Sequence, residues 1–279
     1  MIFYLHGRFV PEEEAVISVL DRSFLYGDGL FETIRVYDGT PFLWREHLDR
    51  LAHGAELLHI PLPLAKPEIS RAAAELIARN RSTDAILRLQ LTRGVGRRGY
   101  SIQGADEPRL VMSIHPAPQE DNDLPQWSVW ISSIRVPSHD PLSVTKTCNK
   151  LPQIMARIEA ELAGANEAVM LNTDGFVAEA ASSNLFWVDQ GKVFTPPLSS
   201  GPLAGVTRGF VLRLCDELGI ARHESTLAPF DLTKKEGLFL TMSSMEVVEV
   251  CSVNGHPVKV SPLTRQLRAA YRASVKRVP

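Results

Sequence analysis

An α+β fold in two domains is what this 279-residue chain predicts. Three observations carry that reading: strand and helix signals alternate over the first part, short turn-punctuated strands dominate the second, and the polar stretch "APQEDNDLPQ" separates them. The length is enough for two ordinary domains, each with its own core. We expect an N-terminal domain over 1–115, an interdomain linker over 116–126 and a C-terminal domain over 127–279.

"MIFYLHGRFV" reads as a hairpin turned at His6-Gly7, and "LFETIRVY" with "PFLW" repeats the device around Asp38-Gly39. Trp44, Leu48, Leu51, Ala55 and Leu58 recur at helical spacing, with Arg45, Glu46, Asp49 and Arg50 on other faces. "KPEISRAAAELIARN" predicts a second helix with proline near its start and Ile69, Leu76 and Ile77 on its apolar side. "AILRLQLTRG" alternates apolar and polar residues, which predicts a strand, and "RLVMSIHP" is its expected neighbour. Glycine and arginine fill "RGVGRRGYSIQGADEP" between them, an exposed loop.

The second part opens with the strand "WSVWISSIRV". Leu151, Ile154, Met155, Ile158 and Leu162 then define a helix, with Pro152 in its first turn and Gly164 ending it. "AVMLN", "FVAEAASSNLFWV" and "KVFTPP" read as strands joined by turns at Asp174-Gly175 and Gln190-Gly191. The helix "GVTRGFVLRLCDELG", the stretch "LFLTMSSMEVVEVCSV", an Asn254-Gly255 turn and a basic terminal helix complete the pattern. This second sheet is expected to curl towards a barrel.

Hydrophobic residues at 44%, charged residues at 22% and a net charge of -2 are ordinary for a globular chain, without the basic excess of a nucleic-acid surface. His6 and Arg8 interrupt the N-terminal apolar run, which argues against a signal peptide, and no apolar run approaches the roughly 20 residues of a membrane span. A cytoplasmic protein is the expectation, with neither nucleic acid nor membrane as partner. Cys148, Cys215 and Cys251 are scattered and form no CxxC pair, so they read as reduced thiols and not as a disulfide framework or zinc site.

No single feature names the chemistry. His47 and His53 lie six apart, off the spacing that puts two metal ligands on one helix face, and no metal site is expected. Cys148 has no base in its sequence surroundings. Neither a P-loop nor a GxGxxG dinucleotide motif occurs. "AGVTRGFV" opens a helix after a glycine, so the amides of Val206 and Thr207 and the Thr207 hydroxyl suit an anion, although an ordinary helix start explains them too. Ser243 and Ser244, at a strand end, offer two hydroxyls to a phosphate or simply make a turn. Arg50 has Glu46 one turn earlier, the pattern of an exposed ion pair. Glu179 interrupts a strand of small and apolar residues, where it is either an outward edge charge or the partner of a buried ligand cation. Lys146 and Lys150, four apart at the threshold of a helix, are equivalent by spacing. A lysine, a carboxylate and several phosphate donors are what pyridoxal phosphate requires, and composition and spacing permit it.

Seven separated motifs go further: "YGDGLFETIRVYDG", "HLDRL", "TRGVGRRGYS", "KTCNKL", "EAVMLNTDGFVAEAASSNLFWV", "FTPPLSSGPLAGVTR" and "MSSMEVVEV". In this order they resemble the class IV (fold type IV) pyridoxal-phosphate enzymes, which comprise branched-chain and D-amino-acid aminotransferases and aminodeoxychorismate lyases. The resemblance implies a small N-terminal α/β domain followed by a pseudo-barrel domain, pyridoxal 5'-phosphate between them, and a homodimer. It names Lys146 as the Schiff-base lysine, three positions before Asn149, and leaves Lys150 at a variable position. Glu179 matches the partner of the pyridine nitrogen and Arg50 a phosphate-binding arginine. Val206, Thr207, Ser243 and Ser244 match the remaining phosphate cup. The implied chemistry is transfer of an amino group between an amino acid, branched-chain L- or D-, and a 2-oxo acid, with Lys146 moving the proton.

Against the resemblance, the sequence departs from two of the subgroups. Branched-chain enzymes carry Asn-Tyr after the lysine, where this chain has Asn149-Lys150. D-amino-acid enzymes place tyrosine where Phe31 stands and Arg-x-His where Arg98-Gly99-Tyr100 stands, so Phe31, Arg98 and Tyr100 are the expected substrate-side residues. "RGVGRRGYS" and "NLFW" resemble the lyases, which release pyruvate to give 4-aminobenzoate for folate synthesis. The lyase is thus the alternative to the aminotransferase, and a cofactor-free binding protein on the same fold a remote third.

Overall fold

The structure, a computed structural model, describes residues 1–118 and 124–276. Of the expected linker over 116–126, residues 119–123 lie outside the described residues. The chain divides into two compact units, Met1–Pro118 with Thr145–Asn149, and Gln119–Val144 with Lys150–Pro279.

The first unit contains β1 (Ile2–Leu5), β2 (Arg8–Pro11), α1 (Arg22–Tyr26), β3 (Gly29–Tyr37), β4 (Thr40–Pro41), α2 (Trp44–Leu57), α3 (Lys66–Arg79), β5 (Ala85–Thr92) and β6 (Arg109–Pro116). Its six-stranded sheet runs β2-β1-β6-β5-β3-β4, every neighbouring pair antiparallel. The two hairpins turn where the sequence predicts: His6 and Gly7, and Asp38 and Gly39, all have positive φ, as a tight turn matching strand twist demands. Alternation sorts the two faces of the sheet. Leu30, Ile34, Leu87, Leu89 and Leu91 are buried with Leu48, Leu51, Ile69 and Leu76 of α2 and α3, while Phe31, Thr33, Arg88 and Gln90 share the opposite face in register.

Helix α1 has no counterpart in the sequence reading. Asp21 caps it by accepting from the Ser23 amide, and Gly27 ends it in the left-handed region at φ 68°. Five residues with Phe24 and Leu25 exposed leave no apolar stripe to read.

In the second unit lie β7 (Gln126–Val136), α4 (Leu151–Leu162), β8 (Glu167–Asn172), β9 (Val177–Ala180), β10 (Asn184–Asp189), β11 (Lys192–Thr195), α5 (Val206–Glu217), β12 (Arg222–Glu224), β13 (Gly237–Met242), β14 (Glu246–Val253), β15 (His256–Pro257) and α6 (Pro262–Val275). The nine-stranded sheet runs β12-β11-β10-β13-β14-β7-β8-β9, with β15 on β14. It curls: edge strand β9 packs against β10 in the interior of the order, and the Ala180 amide donates to the Ser183 carbonyl across the link. Val129, Val169, Leu185, Leu238, Leu240 and Val248 fill the core. "FVAEAASSNLFWV", expected as one strand, is therefore two. The small residues Ala181, Ser182 and Ser183 let the chain turn between them.

Lys146 follows the 127 boundary in sequence, in the segment Thr145–Asn149. Thr145–Asn149 belongs to the first unit, because this segment pairs with β3. The Phe31 amide donates to the Lys146 carbonyl and the Cys148 amide to the Gly29 carbonyl, each at 2.9 Å. Lys150, four residues on, belongs to the second unit as the N-cap of α4.

Candidate active site

The pairing of Thr145–Asn149 with β3 fixes the Lys146 backbone, and its side chain reaches the face of the first sheet opposite α2 and α3. Lys146 Nζ lies 4.7 Å from the centroid of the Phe31 ring. Asn149 anchors the far end, its Nδ2 donating to the Gly27 carbonyl at 3.3 Å. A Cβ on Gly27 would collide with that side chain. The lysine-to-asparagine spacing read in the sequence thus has a physical basis: one residue presents an amine and the other pins the segment. Lys150 has a different role, its carbonyl accepting from Ile154 in the first turn of α4 at 2.9 Å.

Phe31 is shared by two cations. Arg88, diagonal to it across the β3–β5 pair, places its guanidinium carbon 4.0 Å from the ring centroid. Burial pulls the Arg88 guanidinium down in pKa, an effect the Cys148 thiol opposes. A half-buried guanidinium resting on a ring is chemically suited to a carboxylate. The sequence reading missed Arg88. The available signal was a charge breaking an apolar strand, "AILRLQL", the same signal that singled out Glu179.

Behind Phe31 the next residue faces the helices. Glu32 projects into the core side of the sheet, where α2 supplies His47 and Arg50 one turn apart. Arg50 grips the carboxylate with two parallel hydrogen bonds, Nε to Oε1 at 2.8 Å and Nη2 to Oε2 at 2.6 Å. His47 Nδ1 lies 2.7 Å from Oε2, and with a carboxylate as partner that nitrogen carries the proton and donates. Burial alone would push Glu32 upward, but the Arg50 charge and hydrogen bonds, with those of His47, hold its carboxyl at about 2. Burial lowers the His47 imidazole, against the pull of Glu32, and the nearby Arg50 and Lys146 charges lower it further. A neutral histidine, an ionised glutamate and an arginine therefore form one buried cluster close to Lys146. The partner of Arg50 that the structure shows is Glu32, far away in sequence, because strand pairing brings β3 beneath α2.

The second unit carries its own group of polar side chains. Glu179, buried on β9, accepts from the Leu203 amide at 2.9 Å. Asn184, at the start of β10, donates to the Leu203 carbonyl at 2.8 Å. One backbone residue is thus held from both sides ahead of α5. Gly205 is the N-cap of α5, and no side chain caps the helix, so the amides of Val206 and Thr207 face outward at its positive end. A Cβ on Gly205 would run into Asn184 Oδ1, so the close approach itself requires glycine. Thr207 Oγ1 is 3.4 Å from Ser243 Oγ, which brings the helix start and the β13–β14 turn together. Ser244 follows in that turn, half-buried.

Arg98 and Tyr100 are exposed on the loop between β5 and β6, and Tyr100 packs edge-on against Tyr26 at 5.7 Å. Neither is brought against Phe31 or Lys146 by a described contact. Among the described residues no group of three or more His, Cys, Asp or Glu side chains is placed to hold a metal ion. The three cysteines are free thiols, and burial pushes the Cys215 thiol up to about 11.

The chain is similar to known proteins along nearly its whole length. The amino-transferase class IV family model matches residues 29–253. The chain is 36% identical over 275 residues to a Methanocaldococcus jannaschii protein with the provisional name branched-chain-amino-acid aminotransferase, covering 98% of this chain and 96% of that one. It is 30% identical to the D-alanine aminotransferase of Bacillus licheniformis, with 97% of this chain and 95% of that one covered. Identity to the aminodeoxychorismate lyase of Bacillus subtilis is 29%, over 99% of this chain and 95% of that one. Among solved structures, the Escherichia coli branched-chain amino acid aminotransferase superposes with a TM-score of 0.90 at 29% identity, covering 98% of this chain and 93% of that chain. A T.th. branched-chain amino acid aminotransferase with pyridoxamine 5'-phosphate gives 0.92 at 27%, again covering 98% and 93%. This chain belongs to the class IV aminotransferase family.

Proposed function

We propose that the protein is a pyridoxal-phosphate-dependent aminotransferase that moves an amino group between an amino acid and a 2-oxo acid, with Lys146 as the catalytic residue. The observation that carries this reading is the placement of the Lys146 amine over Phe31, beside the buried Glu32–His47–Arg50 cluster. The residues present fit the cofactor. The uncapped start of α5, the Gly205 approach that a Cβ would fill, and the paired hydroxyls of Thr207 and Ser243 suit a phosphate. Buried Glu179 suits a pyridinium nitrogen.

When bound, the cofactor supplies an electron sink for the bond broken at the substrate Cα. The chain supplies the rest. Lys146 would hold the cofactor, and its amine would move the proton at the substrate Cα as base and then as acid. For the phosphate this reading assigns Val206, Thr207, Ser243 and Ser244 of the second unit and, in the first, Arg50 with its guanidinium oriented by Glu32. Arg88 and Arg98 are the cations for the substrate carboxylates, and Phe31 offers an apolar surface to the side chain. A branched-chain L- or a D-amino acid is the donor this reading assigns.

The lyase reading keeps one supporting observation, the similarity to the Bacillus subtilis enzyme over the whole chain. Single-turnover mixing with L-amino acids, D-amino acids and aminodeoxychorismate separates the two. Accumulation of aminated cofactor supports transamination, whereas pyruvate release without it overturns that reading in favour of the lyase.

A homodimer is the assembly we infer. Leu151, Ile154, Met155, Ile158 and Leu162 form an exposed apolar stripe along α4 that a second copy would cover. No helix among the described residues is long and apolar enough to cross a membrane.

A further inference from the structure

The loop between β5 and β6, expected as an exposed glycine- and arginine-rich connection, is moulded around one buried side chain. Arg22, the first residue of α1, is almost fully buried, at 3% exposure. Its Nη1 donates to the Gly99 carbonyl at 2.9 Å and to the Ser101 carbonyl at 3.2 Å, and its Nη2 to the Tyr100 carbonyl at 3.4 Å. The ring of Tyr26 lies 5.1 Å from its guanidinium carbon, and the Tyr26 hydroxyl accepts from the Gly99 amide at 3.1 Å. The loop has glycine where Arg22 passes: a Cβ on Gly96 would come within 2.9 Å of Arg22 Cδ. Near the root, the Arg22 amide donates to the Gly94 carbonyl at 2.8 Å.

The donor count explains why the carbonyls are needed. Asp28 Oδ2 accepts from Arg22 Nε at 2.8 Å and from Arg93 Nε at 2.7 Å, so two buried guanidinium groups share one carboxylate. Arg93 directs its remaining donors to the Leu58 and His59 carbonyls at the end of α2. One carboxylate cannot satisfy all the donors of two guanidinium groups, and the carbonyl dipoles of the loop replace the lost hydration of Arg22. Loop backbone and arginine therefore order each other. Root and apex of the loop are both tied to Asp28, three residues before Phe31.

We propose that Arg22 is a positioning residue for substrate recognition: by fixing the 97–101 backbone it sets where Arg98 and Tyr100 are presented to an anionic substrate. This rests on the reading that Arg98 serves a substrate carboxylate. Arg22 itself does not touch substrate.

The test uses the cofactor-loaded wild type, Arg22→Lys and Arg22→Met, with hydrogen exchange of the peptide spanning 96–103 and steady-state kinetics on the same samples. Arg22→Met is expected to accelerate exchange in that peptide by at least about tenfold, because the loosened loop no longer holds the Gly99 amide on the Tyr26 hydroxyl. It should also raise KM for the amino donor about tenfold with kcat and the cofactor absorbance little changed, the pattern of lost ground-state binding. Arg22→Lys, which keeps the charge but not the fork of donors, should fall between them. Should Arg22→Met not fold, Arg22→Lys carries the comparison. Exchange at the wild-type rate in the folded variants would overturn the proposal. Faster exchange with unchanged KM would leave Arg22 as the loop's organiser but overturn its role in recognition, and with it the assignment of Arg98, while the aminotransferase reading stands. Loss of cofactor absorbance would instead make Arg22 part of the cofactor site and also contradict the proposal.

Discussion

Glu32 and Arg50 form a two-point ion pair at 2.8 and 2.6 Å beneath the sheet of the first unit, with the carboxylate 1% exposed. A planar fork held this way cannot swing, so an arginine facing an anion is set in advance of binding. Because Glu32 is held at about 2, well below its ordinary 4.5, its ionisation favours the folded state above about pH 4.5, and that stabilisation is lost as pH falls towards 2. The shift corresponds to roughly 3 kcal/mol. Urea unfolding of wild type and Glu32→Gln between pH 7 and pH 3 should show wild type more stable at neutrality and the difference shrinking in acid.

Gly205 and Gly209 lie one turn apart, at the N-cap and inside α5, and should respond oppositely to alanine. At Gly205 the new Cβ meets Asn184 Oδ1, so Gly205→Ala displaces the helix start and should cost about 1–3 kcal/mol, as overpacking does. Phosphate affinity of the protein should fall with it. At Gly209 a Cβ meets nothing within 4 Å, and Gly209→Ala should add about 1 kcal/mol through helix propensity. Thermal unfolding of the two variants checks both signs.

Glu249 is wholly buried on β14, with Gln126 donating to one oxygen at 3.0 Å. Burial raises its carboxyl above the usual range, against that hydrogen bond and the Arg265 charge. A raised carboxyl favours folding while protonated, so stability is lost as pH rises above its unfolded value towards the folded one. Glu249→Gln should therefore be more stable than wild type at pH 7 and lose that advantage near pH 4, as followed by chemical unfolding.

Arg88 and Lys146 both lie over the Phe31 ring, two cations on one face of the first sheet. Removal of a charged hydrogen-bond donor to a substrate carboxylate costs about 1.5–3 kcal/mol, so Arg88→Met should raise KM for the amino donor roughly 10- to 100-fold. Unchanged KM would remove Arg88 from the substrate site.

Much of the fold was legible because it is written locally. His6-Gly7, Asp38-Gly39 and Asn254-Gly255 all take the positive φ that a tight turn between strands requires, and the stripe from Leu48 to Ala55 points at its core without help. What escaped depends on distance in sequence. Helix α1 is too short to have a period, Glu32 meets Arg50 only once β3 lies under α2, and the loop after Thr92 looks unstructured until Arg22 is placed inside it. Among the site candidates, the Lys146–Phe31 and Thr207–Ser243 contacts bring residues together that spacing had left separate. Lys146 and Lys150 were indistinguishable by spacing, yet one is held by β3 and the other starts a helix.

Every role proposed for the site depends on Lys146 holding the cofactor. Wild type, Lys146→Ala and Lys150→Ala, each incubated with pyridoxal phosphate, reduced with borohydride and digested, should be compared by peptide mass spectrometry. One reduced cofactor is expected on the peptide containing Lys146 in wild type and in Lys150→Ala, with none retained in Lys146→Ala. Cofactor fixed to Lys150, or retained in Lys146→Ala, would show that the assignment is wrong.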